Sequence, residues 1–379
     1  MKTRPYLAVA ILAIAANLAC SCSDKNNKVT VDINNCVQPS ELLEPDFEVI
    51  PLETIDESII SYIERVKTYN NRFYIQDREQ KVIFIFDENG KYINKINRLG
   101  RGPGEYIYIN DFDIYNDYIY ILSVPKILRY DLNGKYIDCI EELDDSYYNL
   151  IVMSEDSVLL FVNSCGNTGM NYKIFDWKSN KILAEFDNYG EYKGMGMQGY
   201  HMNRTNDGIL LSKSFDHTLY KYDKSGYNKL VELDFPGTDE IPTTPVNYFE
   251  KSNYIIEHRL CVVNCFNQSM IYNGKLYINF HFNKLGEYMG QRASELKTFL
   301  TEIDIDTKAS RTVEIGYLKE YDDYPFIGST VAMQDGKMIT EEHCVGIVKY
   351  CSQLMTQYPE LANIKEDDNP ILIVHHIRK

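Results

Sequence analysis

The chain has 379 residues, 44% of them hydrophobic, which is enough for a sizeable core. Thirty-nine Lys and Arg against 55 Asp and Glu leave a formal charge of −16, which argues against nucleic acid, whose phosphates need a basic footprint, and against adhesion to an anionic membrane through protein charge. Thirty-one Tyr and 16 Phe, but a single Trp, favour strands, because aromatic rings fit a pleated, half-buried surface.

Residues 1–5 carry Lys2 and Arg4, residues 6–16 are apolar, and Asn17-Leu18-Ala19-Cys20-Ser21-Cys22 follows. A charged start, a short apolar run and small residues before a cut site describe a secretory signal. The run is too short to span a bilayer, which takes about 20 residues. A Cys directly after small residues is similar to the lipobox of bacterial lipoproteins, which implies cleavage before the Cys and its lipidation. Cys22, with Ser21 before it and Ala19 three places back, fits better than Cys20, which has Asn17 three places back. The domain organisation expected is a signal peptide over 1–21, a polar tether over 22–40 and one folded unit over 41–379. The expected location is the outer membrane, periplasmic or surface-exposed, with the lipid as the membrane partner. The seven cysteines from Cys36 onward have no framework spacing and read as thiols rather than disulfides.

The rest of the chain repeats. One strand type ends in Asp: 82–87 (VIFIFD), 126–131 (KILRYD), 171–176 (NYKIFD), 218–223 (TLYKYD) and 299–304 (FLTEID); 370–375 (PILIVH) keeps the apolar pattern with His375 in the Asp place. Asp87, Asp131, Asp176 and Asp223 lie 44, 45 and 47 residues apart. The Asp reads as a turn cap, since ENGK- and SG-type turns follow. Another strand precedes each of these: 72–77, 118–123, 158–163, 208–213, 275–280 and 337–342. Each is introduced by its own turn, such as Asn70-Asn71, Asn116-Asp117 or Asp335-Gly336. With a further strand before each of those turns and a closing strand after each Asp turn, the unit has four antiparallel strands. Units of this size and make-up are propeller blades. The fold class is therefore all-β, a six-bladed β-propeller. Unit six lacks its closing strand, and 47–52 (FEVIPL) is the spare strand expected to pair there and close the ring.

These features resemble the six-bladed β-propeller lipoproteins abundant in Gram-negative gut anaerobes, relatives of the NHL-repeat propellers. The residues that carry the resemblance are Gly100-Arg101-Gly102-Pro103-Gly104-Glu105-Tyr106, the Asp-x-Asn-Gly-Lys blade signature and the closing 368–374 (DNPILIV). The resemblance implies a fold and a compartment, and neither a ligand nor catalytic residues.

In a blade, the first-to-second and third-to-fourth turns lie on one face; the second-to-third and blade-to-blade connections lie on the other. Every long connection belongs to the second set: 97–107, 188–199, 234–268, 281–297 and 343–369. Long loops on a rigid scaffold carry binding, so this face is expected to be the working surface. Short helices are expected in the loops of blades five and six, over 294–300 and 345–358; the apolar stripe of the second would pack on the propeller. Gly-Glu-Tyr occurs three times on this face, at 104–106, 190–192 and 286–288. The candidate ligand-binding residues are accordingly Arg98, Arg101, Glu105, Tyr106, Glu191, Tyr192, His201, His258, Glu287 and Tyr288, where tyrosine faces suit sugars and carboxylates suit hydroxyls.

No nucleophile elbow, H-E-x-x-H or phosphate loop occurs, and GRGPG lacks the G-x-G-x-x-G context. No cofactor, resident metal or catalytic residue is assigned. The first reading is a monomeric, lipid-anchored binding module for a glycan, peptide or protein. The alternative is a propeller enzyme, a lyase or metal-dependent lactonase, which requires several of Glu105, Asp111, Glu191, His201, His258 and His281 to converge at the channel.

Overall fold

The computed structural model describes residues 28–379, apart from 141, 163–167, 190–200, 245–247, 289–290, 316–327 and 351. Twenty-five strands occur among these residues. Two precede the blades: β1 (Lys28–Thr30) and β2 (Leu43–Pro51). Blade one holds β3 (Ile63–Tyr69), β4 (Arg72–Asp77), β5 (Val82–Asp87) and β6 (Tyr92–Ile96). Blade two holds β7 (Asp111–Tyr115), β8 (Tyr118–Ser123), β9 (Lys126–Asp131) and β10 (Tyr136–Ile140). Blade three holds β11 (Asn149–Ser154), β12 (Ser157–Phe161), β13 (Met170–Asp176) and β14 (Lys181–Asn188). Blade four holds β15 (Met202–Thr205), β16 (Gly208–Leu211), β17 (Thr218–Asp223) and β18 (Gly226–Asp234). Blade five holds β19 (Val262–Tyr272), β20 (Lys275–Tyr288), β21 (Gln291–Asp304) and β22 (Ser310–Ile315). Blade six holds β23 (Ser329–Gln334), β24 (Lys337–Glu342) and β25 (Ile371–Ile377), and β2 pairs antiparallel with β25 as its fourth strand. The first strands of the blades, β3, β7, β11, β15, β19 and β23, pack on one another in turn, and β23 returns to β3. The ring is closed and the first strands line its axis.

Local chemistry explains the hairpins. In the turns that join first to second strands, Asn70, Asn71, Asn116, Asp117, Asn273 and Asp335 all have positive φ, as do Gly274 and Gly336. These residue types tolerate that region best, and the tight hairpin needs it. At the ends of the third strands, the aspartates act as the caps read from the sequence. Asp87 accepts from the backbone N–H of Asn89 and Lys91, and Asp131 from those of Asn133 and Lys135, all at 2.9 Å. Asp176, Asp223 and Asp304 cap their turns in the same way. His375 is buried instead, with its Nε2 2.9 Å from Thr340 Oγ1; burial lowers its pKa to about 3 and keeps it neutral.

The core lies between blades. Tyr74, Ile83 and Ile85 of blade one pack with Phe112, Ile119 and Tyr130 of blade two, and similar clusters fill the successive interfaces around the ring. At the closure, Ile50 and Leu52 pack with Leu372 and Val374 of blade six and Phe84 of blade one. Gly90 is held against the same strand: its φ is +78° and a Cβ there would stand 2.2 Å from the Pro51 carbonyl oxygen.

The structure differs from the sequence reading in three places. Residues 28–40, read as tether, are part of the propeller. β1 pairs parallel with β18 as a fifth strand of blade four, and Val29 and Val31 are buried between blades four and five. Residues 294–300, read as helix, belong to β21, which pairs with β20 in one long hairpin. The cross-strand partnership outweighs the helix propensity of the segment. The helix before blade five is α1 (Tyr248–Glu257), in the connection from blade four. In blade six, α2 (Cys344–Tyr350) and α3 (Ser352–Gln357) bear out the expected helix. Ile347 and Met355 pack against Ile371 and Ile373, so that stripe does cover the propeller. Cys36, Cys139, Cys261 and Cys344 are free of disulfides, whereas the side chains of Cys165, Cys265 and Cys351 lie outside the description.

Candidate functional site in the central channel

A cavity of about 510 Å³ occupies the central channel and is lined by all six first strands. Most of its lining comes from the C-terminal halves of those strands: residues 65–69 of blade one, 113–116 of blade two, 202–206 of blade four, Gln268, Met270 and Ile271 of blade five and 332–335 of blade six, with Ile151 from blade three. Those halves run into the first-to-second turns. The cavity therefore lies toward the short-turn face, opposite the long connections.

Its polar chemistry is a two-rung ladder. Side chains two apart on a strand share a face, so Arg65 and Lys67 project together from β3, as do Asp111 and Asp113 from β7. On the first rung, Arg65 pairs with Asp111, whose other oxygen accepts from Leu150 N–H at 2.9 Å. On the second, Lys67 Nζ donates to Asp113 Oδ1 at 2.6 Å, and Asp113 Oδ2 accepts from Val152 N–H at 2.8 Å. Arg204 of blade four reaches past blade three: its Nη2 donates to Asp113 Oδ2 and to the Val152 carbonyl, each at 2.7 Å. Its guanidinium also lies over the Tyr115 ring, 5.8 Å from the centroid. Four blades are tied together at one carboxylate. Burial pushes the Asp113 carboxyl up, but Lys67 and Arg204 outweigh it and hold the group below its ordinary value. The far wall is neutral at Gln268, Met270, Ala332 and Met333 from blades five and six, with Asp335 at its rim.

Of the residues expected from the sequence to bind ligand, those that are described do not line this channel. Arg98 and Arg101 are exposed in the connection from blade one to blade two. Glu105 caps its own turn, accepting from Gly102 N–H at 2.7 Å. Tyr106 is buried, and its hydroxyl donates to the Ile96 carbonyl at 2.9 Å. Gly104 has φ +70°, a Cβ there would meet the Tyr136 ring at 2.6 Å, and its carbonyl accepts from the Tyr130 hydroxyl. GRGPGEY is thus a structural clamp between blades one and two. Tyr106→Phe is expected to cost about 1 kcal/mol, for one buried hydrogen bond, and Tyr106→Ala about 3–5 kcal/mol, for the cavity as well; urea denaturation measures both.

His201 is buried against Phe161, with ring centroids 5.0 Å apart. His258 is exposed and stacks on Tyr254. Glu287 and Tyr288 fall near the tip of the β20–β21 hairpin, with side chains outside the description, and Glu191 and Tyr192 lie outside the described residues. The convergence that the enzyme alternative requires is absent among the described residues. Asp111 pairs with Arg65, His281 contacts Thr298, and among the described residues no group of three or more His, Cys, Asp or Glu stands ready to hold a metal.

The sequence reading named Asp111 but missed Arg65, Lys67, Asp113 and Arg204. The available signal was the repeat: Arg65 to Asp111 and Lys67 to Asp113 are each 46 residues apart, about one blade period.

Over residues 28–376 the sequence matches the family described as "Domain of unknown function (DUF4934)". The chain belongs to the DUF4934 family. No curated protein matches it. Two solved structures share the DUF4934 fold. A "Putative exported protein" from Bacteroides fragilis NCTC 9343 superposes with a TM-score of 0.71 at 17% identity, over 93% of this chain and 100% of the other. A member of the DUF4221 family from Bacteroides vulgatus ATCC 8482 superposes with a TM-score of 0.58 at 12% identity, over 89% and 97%. At these identities the likeness concerns the fold. No helix among the described residues of this DUF4934 chain is long and apolar enough to cross a membrane.

Proposed function

We propose that this chain is an exported, lipid-anchored binding protein that takes a small ligand into its central channel from the short-turn face. The observation that carries this reading is the channel: its volume falls within the about 300–1,000 Å³ usual for small-molecule sites. One wall is charged and rigidly held, and the opposite wall is partly apolar, with Asp335 at its rim. A rigid wall with few, fixed polar groups gives specificity at low ordering cost. The long-loop face remains the place where a larger glycan or protein would dock, but the polar chemistry expected there is committed to the fold at Glu105 and Tyr106. Export is supported by the N-terminal signal pattern and by the likeness to the "Putative exported protein" of B. fragilis.

A panel of sugars, sugar acids, amino acids and short peptides, read by thermal shift and calorimetry, tests the channel. Asn203, whose amide donates to Ser269 Oγ at 3.2 Å, lines it. Asn203→Trp is expected to fill the channel and abolish binding of any panel ligand, with Thr68→Trp as the second blocking variant. A ligand that binds both blocked variants as tightly as the native protein would refute the channel reading. For the anchor, intact-mass analysis of membrane-extracted protein is expected to show an acylated chain starting at Cys22 or Cys20, and an unacylated mature chain would refute it.

A further inference from the structure

Resting on the channel reading, we infer that the ligand is a small hydroxylated organic oxyanion, held by Arg204 and Lys67 at the blade-four side of the channel. Hydrogen-bonding capacity, not net charge, distinguishes the site. The formal charges about the site, Arg65, Lys67 and Arg204 against Asp111, Asp113 and Asp335, balance. Their capacities do not. Asp113 accepts on both oxygens, from Lys67, Arg204 and Val152 N–H, and Asp111 likewise, from Arg65, Phe112 N–H and Leu150 N–H. Each buried carboxylate therefore takes three donors, close to its capacity of about four. Asp335 is exposed at the rim and takes the Gln334 amide at 3.0 Å.

The cations retain spare donors. Arg204 uses only Nη2, which leaves Nε and Nη1 without a bond to any described residue, and its side chain is 41% exposed. Lys67 Nζ spends one of its three protons on Asp113. Asp113 grips Lys67 with one oxygen and Arg204 with the other, so it holds both cationic heads beside the channel. A guanidinium edge fixed by a buried carboxylate and seated over an aromatic ring is pre-organised for a bidentate oxyanion. Across the channel, the Gln268 amide, whose nitrogen makes one long contact of 3.5 Å to the Val331 carbonyl, retains capacity for hydroxyl groups. A cationic ligand would find the buried carboxylates already occupied, and a purely apolar one would leave the Arg204 donors desolvated without partners.

Carboxylate, sulfate and phosphate esters share this chemistry, and the test separates them. D-glucuronate, D-glucose 6-sulfate, D-glucose 6-phosphate and neutral D-glucose are titrated calorimetrically into the native protein, Arg204→Met and Arg204→Lys. The expected result is that at least one of the three anions binds more tightly than glucose. Its affinity should fall at least tenfold in Arg204→Met and less in Arg204→Lys, while glucose is unchanged in both. Which anion binds identifies the group. Should Arg204→Met fail to fold, the native protein still decides: anion affinity must weaken as NaCl rises from 50 to 500 mM, and glucose affinity must not. Equal affinities for glucose and all anions, or no anion binding to native protein at 10 mM, would overturn the oxyanion assignment. The channel reading is judged separately, by whether Asn203→Trp blocks the ligands of the wider panel.

Discussion

Asp113→Asn is expected to destabilise the propeller by about 3 kcal/mol, at the low end for removing one partner of a buried ion pair, because Arg204 is partly open to water. Asp113 is only 4% exposed and joins blade one through Lys67, blade three through Val152 and blade four through Arg204. An asparagine keeps the shape but offers a neutral amide to two cations, of which Lys67 is 23% exposed and cannot fully rehydrate. The loss should depend on pH. Burial opposes ionisation of Asp113, Lys67 and Arg204 favour it more strongly, and the folded-state pKa lies below the ordinary one. A group depressed in this way stabilises the fold above its unfolded pKa of about 3.9, and the contribution disappears as pH falls through the lower folded value. Urea denaturation from pH 7 to pH 2.5 is therefore expected to show a constant gap between native protein and Asp113→Asn above about pH 5, narrowing below about pH 4. A gap that widens in acid would contradict the ion-pair account.

Removal of residues 1–52 is expected to abolish the native monomer. That segment supplies the fourth strand of blade six and buries Leu42, Leu43, Ile50 and Leu52. Each such side chain contributes roughly 1.5–3 kcal/mol, so four approach the whole stability of a typical domain, about 5–15 kcal/mol. The truncation also strips away β1 with Val29 and Val31, and uncovers β25, whose Ile371-Leu372-Ile373-Val374 run is a ready edge for pairing between chains. Size-exclusion chromatography and circular dichroism are expected to show aggregates with loss of the cooperative melt. A monomer that melts within a few degrees of the native protein would remove the closure from the account.

The ring was legible in the sequence because its signals are local and repeated. Asn116-Asp117 and Asp335-Gly336 announce their turns by residue type, Asp87 and Asp131 by the backbone groups they cap. The closing strand was legible by subtraction, since blade six stops one strand short. β1 was not: Val29 and Val31 alternate within a polar stretch, and a parallel pairing leaves no turn to mark it. The 294–300 segment carries helix-favouring residues, yet Leu296 and Phe299 stand opposite Asn283 and Phe280 in a hairpin that only the partner strand dictates.

The site was harder to read. Loop length pointed to the long-connection face, whereas the polar network sits at the other end of the channel. Its members are separated by up to 139 residues, from Arg65 to Arg204, and meet only because successive first strands bring their alternate residues to one axis. Charged residues at alternating positions of an inner strand look like an exposed face until the ring is closed around them. GRGPGEY drew attention for the opposite reason: its unusual composition serves a tight clamp under Tyr106 and Gly104.

The channel claim is tested most directly by hydrogen exchange on the native protein, with and without the tightest-binding ligand of the panel. Protection at residues 65–69, 113–116 and 202–206, which line the short-turn end of the channel, is the expected result. Protection confined to the connections at 97–110, 235–261 and 343–370, with the channel strands unchanged, would place binding on the opposite face and contradict it.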